Sequence, residues 1–530
     1  MLNRDAPFGL ARFRGLAEPL RDPEPRRYTA SGSASRNTKA PSAVSQSHGG
    51  LLPEDVMVLI IAYLSVADVL VVRRCNKWLK YLTEDRHIWL EFLLQPTFPV
   101  PECISRVGAM SSQELEWQVR RQFELSRRWS PKSQPETPIR PLTSHWFPMP
   151  NNESLTAMAS MDSWVAVASD LGNAYLCAPF GASHQKGLEW IRVLSLAVEI
   201  NKLCVDVSNG RVSVIWAGIV KEDGAHSYRC GVVSASVEDL ILAKSRALGG
   251  LLLNSSDFVT ETTLDLRNPA SEIMDIAIGE RYCAVLDAAH IFQVFMHQPL
   301  ENGAPPRSEF QGPHRSSRKT ISLQFLPYDQ LLVYSDSFIA IYKPITHLTT
   351  TMERKYWTHV PTETFFGLLT QRRSANITTS GHMRIPILAF SSIGTEITHY
   401  DLRIPCSELV GFEPDDYGLT HRRSVSYLLS PSLSPFSMGT VNGGCYRMAW
   451  VTMGVNRHPC GVALGRTFLG NYDPSTSYQA PLDRSMLDLG DYQDLIKTQY
   501  PAGPLFAFHE GEGMLLGGVR RGWRLIMLQY

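Results

Sequence analysis

The chain carries no surplus of either charge: 51 Lys and Arg stand against 51 Asp and Glu among 530 residues. A nucleic-acid binder normally shows a basic excess or a basic stripe, so neutrality disfavours that class and leaves partners to be chosen by shape and local pockets. Long apolar runs are missing too. A membrane-crossing helix needs about 20 consecutive apolar residues. The best candidate, Val56–Leu64 followed by Val66–Val72, is broken by Ser65 and Asp68 and flanked by Asp55 and Arg73-Arg74. It reads as short amphipathic helices, and no membrane partner is expected. The N-terminus lacks the continuous apolar core of a secretory signal, and Asp5, Glu18, Asp22 and Glu24 speak against a mitochondrial presequence. Residues 1–50 read as a disordered tail, basic at first and then rich in Ser, Gly and Ala.

Cysteines are few and badly spaced for chemistry. No two of the nine form C-x-x-C, and an odd total fits no complete disulfide framework. Reduced, mostly buried thiols in the cytoplasm or nucleus are the expectation. The sequence also lacks a G-x-x-x-x-G-K-[ST] phosphate loop, an H-E-x-x-H zinc helix and a G-x-S-x-G nucleophile elbow. The 15 histidines are scattered and none pairs with cysteine at zinc spacing. No catalytic residue, metal ligand or cofactor is expected.

What is present divides in two. Residues 51–94 are helical in pattern. Leu52-Pro53-Glu54 opens a helix with proline in its first turn, where a missing N–H costs nothing. Val56, Ile60 and Leu64 then recur every four residues as an apolar stripe widened by Ile61. Ser65, with Asp68 three residues on, starts a second helix whose buried face carries Val69 and Val72, with Arg73, Arg74 and Lys77 toward water. Thr83-Glu84-Asp85 signals a third start, followed by Ile88, Trp89 and Phe92. Residues 95–143 form a connector that holds one more helix over 111–130 and a proline-rich linker over 131–143. Ser111 with Glu114 is that helix's start signal, and Leu115, Val119 and Phe123 make its stripe.

From 144 to 530 the texture changes to short β-branched and aromatic runs divided by Gly, Asn and Asp. Seven hairpins can be read, with middles at 170–173, 209–210, 287–289, 335–337, 391–395, 452–460 and 520–523. Their spacing, about 55 residues, is near the 40–50 of a propeller blade. The region resembles a degenerate β-propeller of six to eight blades without Gly-His or Trp-Asp signatures. A pair of β-sandwiches or another repeating all-β array remains the alternative. The last strand, 523–529, is expected to pair with the opening segment near Trp146 and so close the first blade. Arginine pairs such as Arg372-Arg373 and Arg422-Arg423, and the basic loop 300–320, read as wet surface and are named as no site.

The helical run carries a more specific pattern: Leu52-Pro53-Glu54-Asp55-Val56, Ile60-Ile61, Tyr63-Leu64, Asp68-Val69-Leu70, Lys77-Trp78-Leu79, Leu82-Thr83, Asp85-Arg86 and Ile88-Trp89. It resembles the F-box, in the form common among fungal F-box proteins, over about 43 residues. Leu59, where that group usually has a polar residue, and Arg74-Cys75-Asn76 depart from it. The resemblance implies a small three-helix module that binds the Skp adaptor and, through it, a cullin–RING complex. The chain would then be the non-catalytic substrate receptor of a ubiquitin ligase, holding an unknown protein substrate on its C-terminal region. The adaptor contact would fall on Leu52, Pro53, Ile60, Leu64, Val69 and Val72. The alternative is an interaction scaffold that binds the adaptor without a cullin.

Overall fold

The structure is a computed structural model. It describes residues 52–94, 110–129, 138–161, 164–177, 190–208, 210–222, 225–246, 253–254, 259–297, 307–311, 321–335, 338–345, 349–360, 364–368, 376–377, 382–391, 396–405, 413–426, 441–443, 447–453, 459–466, 484–493, 504–509 and 513–530. The tail 1–50 and the ends of the basic loop lie outside these residues.

Four helices, not three, fill the first segment: α1 (Glu54–Ala62), α2 (Val66–Val72), α3 (Lys77–Leu82) and α4 (Arg86–Leu94). The extra break has a local cause. Asn76 caps α3, its Oδ1 accepting the Leu79 N–H at 2.7 Å. Thr83, expected to open a helix, instead closes α3, and Asp85 takes over as the acceptor for the His87 N–H at 2.7 Å. Ser65 caps α2 as expected, accepting from Asp68 N–H at 3.2 Å. After residues 95–109, α5 (Ser112–Trp129) begins with the foreseen reciprocal cap. Glu114 accepts the Ser111 N–H at 2.7 Å, which holds its carboxyl below the ordinary range.

Ile61, Val66, Val69, Leu82, Ile88, Trp89, Phe92 and Leu93 form one core, and Leu115 and Val119 of α5 complete it. Further along α5, Leu125 enters a different cluster, with Tyr492, Phe508, Leu515 and Tyr530 of the β-region. At 1.5 Å per residue its 18 residues make a strut about 27 Å long that belongs to both parts.

The β-region holds seven sheets among the described residues, each with a core of four antiparallel strands mostly taken in chain order, and two of them carry a short extra strand. Each of the seven hairpins read from the sequence is a strand pair of a different sheet. The first strands are Leu155–Met161, Glu199–Ser208, Ile273–Ile278, Ile321–Leu326, Thr364–Leu368, Val441–Gly443 and Pro504–His509. Contacts pass from sheet to sheet around this series and return from Pro504–His509 to Leu155–Met161, closing a cycle. Apolar clusters lie between successive sheets: Trp216 and Ala166 between the first and second, Ile215 and Val285 between the second and third, Phe292 and Val333 between the third and fourth, Ile339 and Leu402 between the fourth and fifth. The all-β region is therefore propeller-like, and the alternative of packed sandwiches is not what the strand order gives.

The expected pairing is present, but it completes the seventh sheet rather than the one that Leu155–Met161 begins. Thr143–Pro148 pairs antiparallel with Arg524–Gln529, Trp146 opposite Ile526. The end of the proline-rich linker is also fastened: Ile139 bridges Leu487, and Arg140 approaches Asp488 at 3.7 Å. One helix, α6 (Val237–Arg246), was not anticipated in the β-region; it leaves the third strand of the second sheet and buries Leu240. Cys177, Cys230 and Cys283 are buried free thiols and Cys75 is an exposed one. No helix among the described residues is long and apolar enough to cross a membrane.

Candidate docking site

Helix α1 is apolar around most of its circumference, and the core uses only one side of it. Ile61 is buried, and Met57, Val58, Ala62 and Leu64 pack partly against the core. The other side stays bare: Leu52 is 44% exposed, Leu59 49%, Ile60 43% and Tyr63 86%. Their spacing, with half-buried Val56 between, follows helical periodicity and makes a row on one face. Val71 and Tyr81 add exposed apolar groups on α2 and α3. Single exposed leucines are ordinary, but an apolar row of this kind on a small module is the sort of surface that interaction sites use.

Of the six expected contact residues, Leu52, Pro53 and Ile60 are exposed on or beside α1. Leu64 and Val72 are half-buried. Val69 has no exposed surface at all and is a core residue, so it can touch no partner directly. Leu59 and Tyr63 are on the open face but were not expected there. The signal for them was the departure at Leu59: an apolar residue on a side the core does not need.

The module is cross-tied by Arg73, which the sequence pattern placed toward water. Its guanidinium forks onto Glu116 of α5, with the second arm at 2.8 Å. It also donates to the Thr83 hydroxyl at 3.0 Å and the Thr83 carbonyl at 3.2 Å, and lies 5.6 Å from the Trp89 ring centre. Trp89 reaches the same Thr83 carbonyl through its indole N–H at 2.8 Å. One arginine thus ties α2, the α3–α4 junction and α5 together, and a bidentate pair of this kind fixes orientation as well as energy.

On the outer side of α5 an open groove is lined by Gln113, Glu116, Trp117, Arg120, Arg121 and Glu124, with the Arg121 guanidinium 4.9 Å from the Trp117 ring. Its mixed charge and openness define no ligand. Among the described residues no group of three or more His, Cys, Asp or Glu side chains is placed to hold a metal ion. Arg315, Arg318, Lys319, Arg372 and Arg373 lie outside the described residues, and Arg422 and Arg423 fall in the strand Gly418–Ser426.

No family model matches the chain, and no curated protein sequence matches it. Among solved structures, a protein from Lactobacillus plantarum aligns at 13% identity over 63% of this chain and 85% of its own, with a TM-score of 0.35. The WD40 domain of SCAP from fission yeast aligns at 10% identity over 71% and 82%, also at 0.35. The architecture rests on the strand order and closure described above. Fold and site together define a two-part chain: a small helical unit with an uncovered apolar helix face, strutted to a propeller-like β-region.

Proposed function

We propose that the chain is the substrate-receptor subunit of a Skp–cullin–F-box ubiquitin ligase. In this reading α1–α4 are the F-box, and the open face of α1 binds the Skp adaptor. The β-region is a seven-bladed propeller that holds the protein substrate. The observation that carries the reading is the uncovered row of Leu52, Leu59, Ile60 and Tyr63 on a module that otherwise packs its own core well. The contact set is Leu52, Pro53, Leu59, Ile60 and Tyr63, with Leu64 and Val72 at its edge and Val69 supporting it from within. The closed cycle of seven sheets supports the blade number.

The strut supports the mechanism. A ligase receptor contributes rate by holding a substrate lysine near the charged conjugating enzyme, which raises effective concentration. That gain needs a stiff link between adaptor and substrate surfaces. Helix α5, sharing Leu115 and Val119 with one core and Leu125 with the other, supplies such a link. No catalytic group is required of this chain.

Co-purification with recombinant adaptor tests the proposal. Ile60→Asp should abolish adaptor binding while changing stability by less than about 0.5 kcal/mol, because the side chain is outside the core. Val69→Ala should do the reverse, costing about 2 kcal/mol while retaining adaptor binding at low temperature. An intact chain that fails to bind the adaptor ends the F-box reading. Binding of the adaptor without a cullin would instead identify a non-degradative scaffold.

A further inference from the structure

The hairpin tip of the closing sheet, residues 520–524, presents a basic and aromatic surface that nothing in the described structure neutralises. Arg520, Arg521 and Arg524 are exposed, and Trp523 is 48% exposed. The Arg524 guanidinium stacks 3.9 Å from the Trp523 ring centre. Among the described residues no carboxylate pairs with any of the three arginines. Two acids of the adjoining first sheet have partners of their own. Glu153 is buried and receives Asn173 and Tyr175 at 2.9 and 2.8 Å, and Asp170 accepts the Ser154 N–H at 3.0 Å.

The tip is also rigid. Its backbone is stitched to the loop that enters the first sheet: Met149 N–H donates to the Trp523 carbonyl at 2.8 Å, Leu155 N–H to the Gly522 carbonyl at 2.7 Å, and Arg521 N–H to the Leu155 carbonyl at 2.5 Å. Three non-glycine residues in these two loops, Asn151 (φ 54°), Asn152 (φ 56°) and Arg521 (φ 65°), sit in the left-handed region. Asparagine tolerates it; arginine has no such preference, and backbone strain of this kind clusters at binding surfaces. A presentation fixed in advance lowers the entropy cost of binding for long arginine side chains.

We propose that the 520–524 tip is a docking surface for an Asp/Glu-rich polypeptide segment. Guanidinium groups spread along an open tip suit several separate carboxylates, each taken by a forked pair of hydrogen bonds. A single phosphate would be better served by converging backbone N–H groups, and those of Arg521 and Gly522 are already donated to Leu155 and Val519. A nucleic-acid strand needs a longer basic track with open aromatic faces, whereas here one ring is covered by Arg524 and the chain has no net charge. The tip lies at the far end of the strand Met514–Val519 from Gly513, where α5 attaches, about 20 Å away at 3.3 Å per residue. The acidic partner would therefore approach the face of the β-region turned away from the helical unit. The inference depends on the β-region alone and stands whether or not α1 binds an adaptor.

The test is fluorescence anisotropy of the purified full chain with a labelled Glu/Asp-rich peptide, a neutral Ser/Gln version, a phosphoserine version and a single-stranded oligonucleotide. The acidic peptide should bind best, and binding should weaken as salt rises. The double variant R520S/R521G should lose at least about tenfold in affinity, since hydrogen bonds to charged groups are lost. Glycine at 521 keeps the left-handed backbone, so an unchanged melting temperature is expected. R120S/R121S on α5 should leave affinity unchanged. Equal binding by R520S/R521G, no binding by the wild type, or tighter binding of the neutral peptide, the phosphoserine peptide or the oligonucleotide would overturn the proposal.

Discussion

Leu125 of α5 occupies the space that a side chain on Gly513 would need: a Cβ built there meets the Leu125 Cδ2 atom and lies 3.2 Å from the Tyr530 carbonyl oxygen. Gly513 also has a φ of +61°, and its carbonyl accepts the Tyr530 N–H at 2.8 Å. This contact joins the helical unit to the end of the chain, and it is where the two parts of the molecule become one object. Gly513→Ala should therefore strain the backbone and push Leu125 outward together. We expect a loss of about 2 kcal/mol in denaturant unfolding. Faster amide exchange should appear in the C-terminal half of α5, with the Leu115 end unaffected.

The Arg73–Glu116 fork gives a second prediction. Both side chains are largely screened from water, at 18% and 15% exposure. Removing Glu116 leaves the Arg73 charge largely buried without a carboxylate, and removing Arg73 leaves Glu116 with only the exposed Arg120 at 3.3 Å, so Arg73→Ala and Glu116→Ala should each cost about 2 kcal/mol. Their effects should not add in the double variant, because they remove one interaction. A thermodynamic cycle on the full chain measures this. Arg73→Lys should restore little, since an ammonium cannot fork onto a carboxylate and hold Thr83 at the same time.

Asp275 supplies a pH prediction. It lies on the first strand of the third sheet and accepts the Leu323 N–H of the next sheet at 2.8 Å. Burial pushes its carboxyl up to about 6, while the Leu323 bond, Lys202 and the Ile276 N–H pull it partly back. A carboxyl raised in the folded state binds its proton more readily there than in the unfolded chain. This group therefore opposes folding above pH 6, and its penalty fades as pH falls from about 6 toward the unfolded value near 3.9. Relative to Asp275→Asn, the wild type should gain stability on going from pH 7 to pH 5, by about 1 kcal/mol. Paired unfolding curves at the two pH values check the sign.

Much of this molecule could be read from local pattern. The seven hairpins are contiguous in sequence, and two of their turns place a glycine in the left-handed region that the sequence signals, Gly172 and Gly210 with φ of +79° and +70°. Closure near Trp146 was legible because a chain ending in an apolar strand needs an edge to pair with. Start signals at Ser65 and Ser111 were legible because capping needs only neighbours within three residues. The cap at Asn76 was equally local, yet the more conspicuous Thr83-Glu84-Asp85 drew the boundary to the wrong place.

The sequence by itself determined the division into a helical unit and a hairpin-built β-region, the helix starts at Ser65 and Ser111 and one hairpin in each sheet, because those depend on side-chain periodicity and short-range hydrogen bonds. Only the tertiary structure decided which side of α1 is buried, since that helix is apolar nearly all round and periodicity cannot choose between Ile61 and Ile60. It also decided that Val69 belongs to the core, that Arg73 turns inward to Glu116 43 residues away, and that Arg520, Arg521 and Arg524 stand unpaired by any described carboxylate. Each of those outcomes depends on which distant surface arrives opposite the side chain, and that is set by the packing of the whole chain.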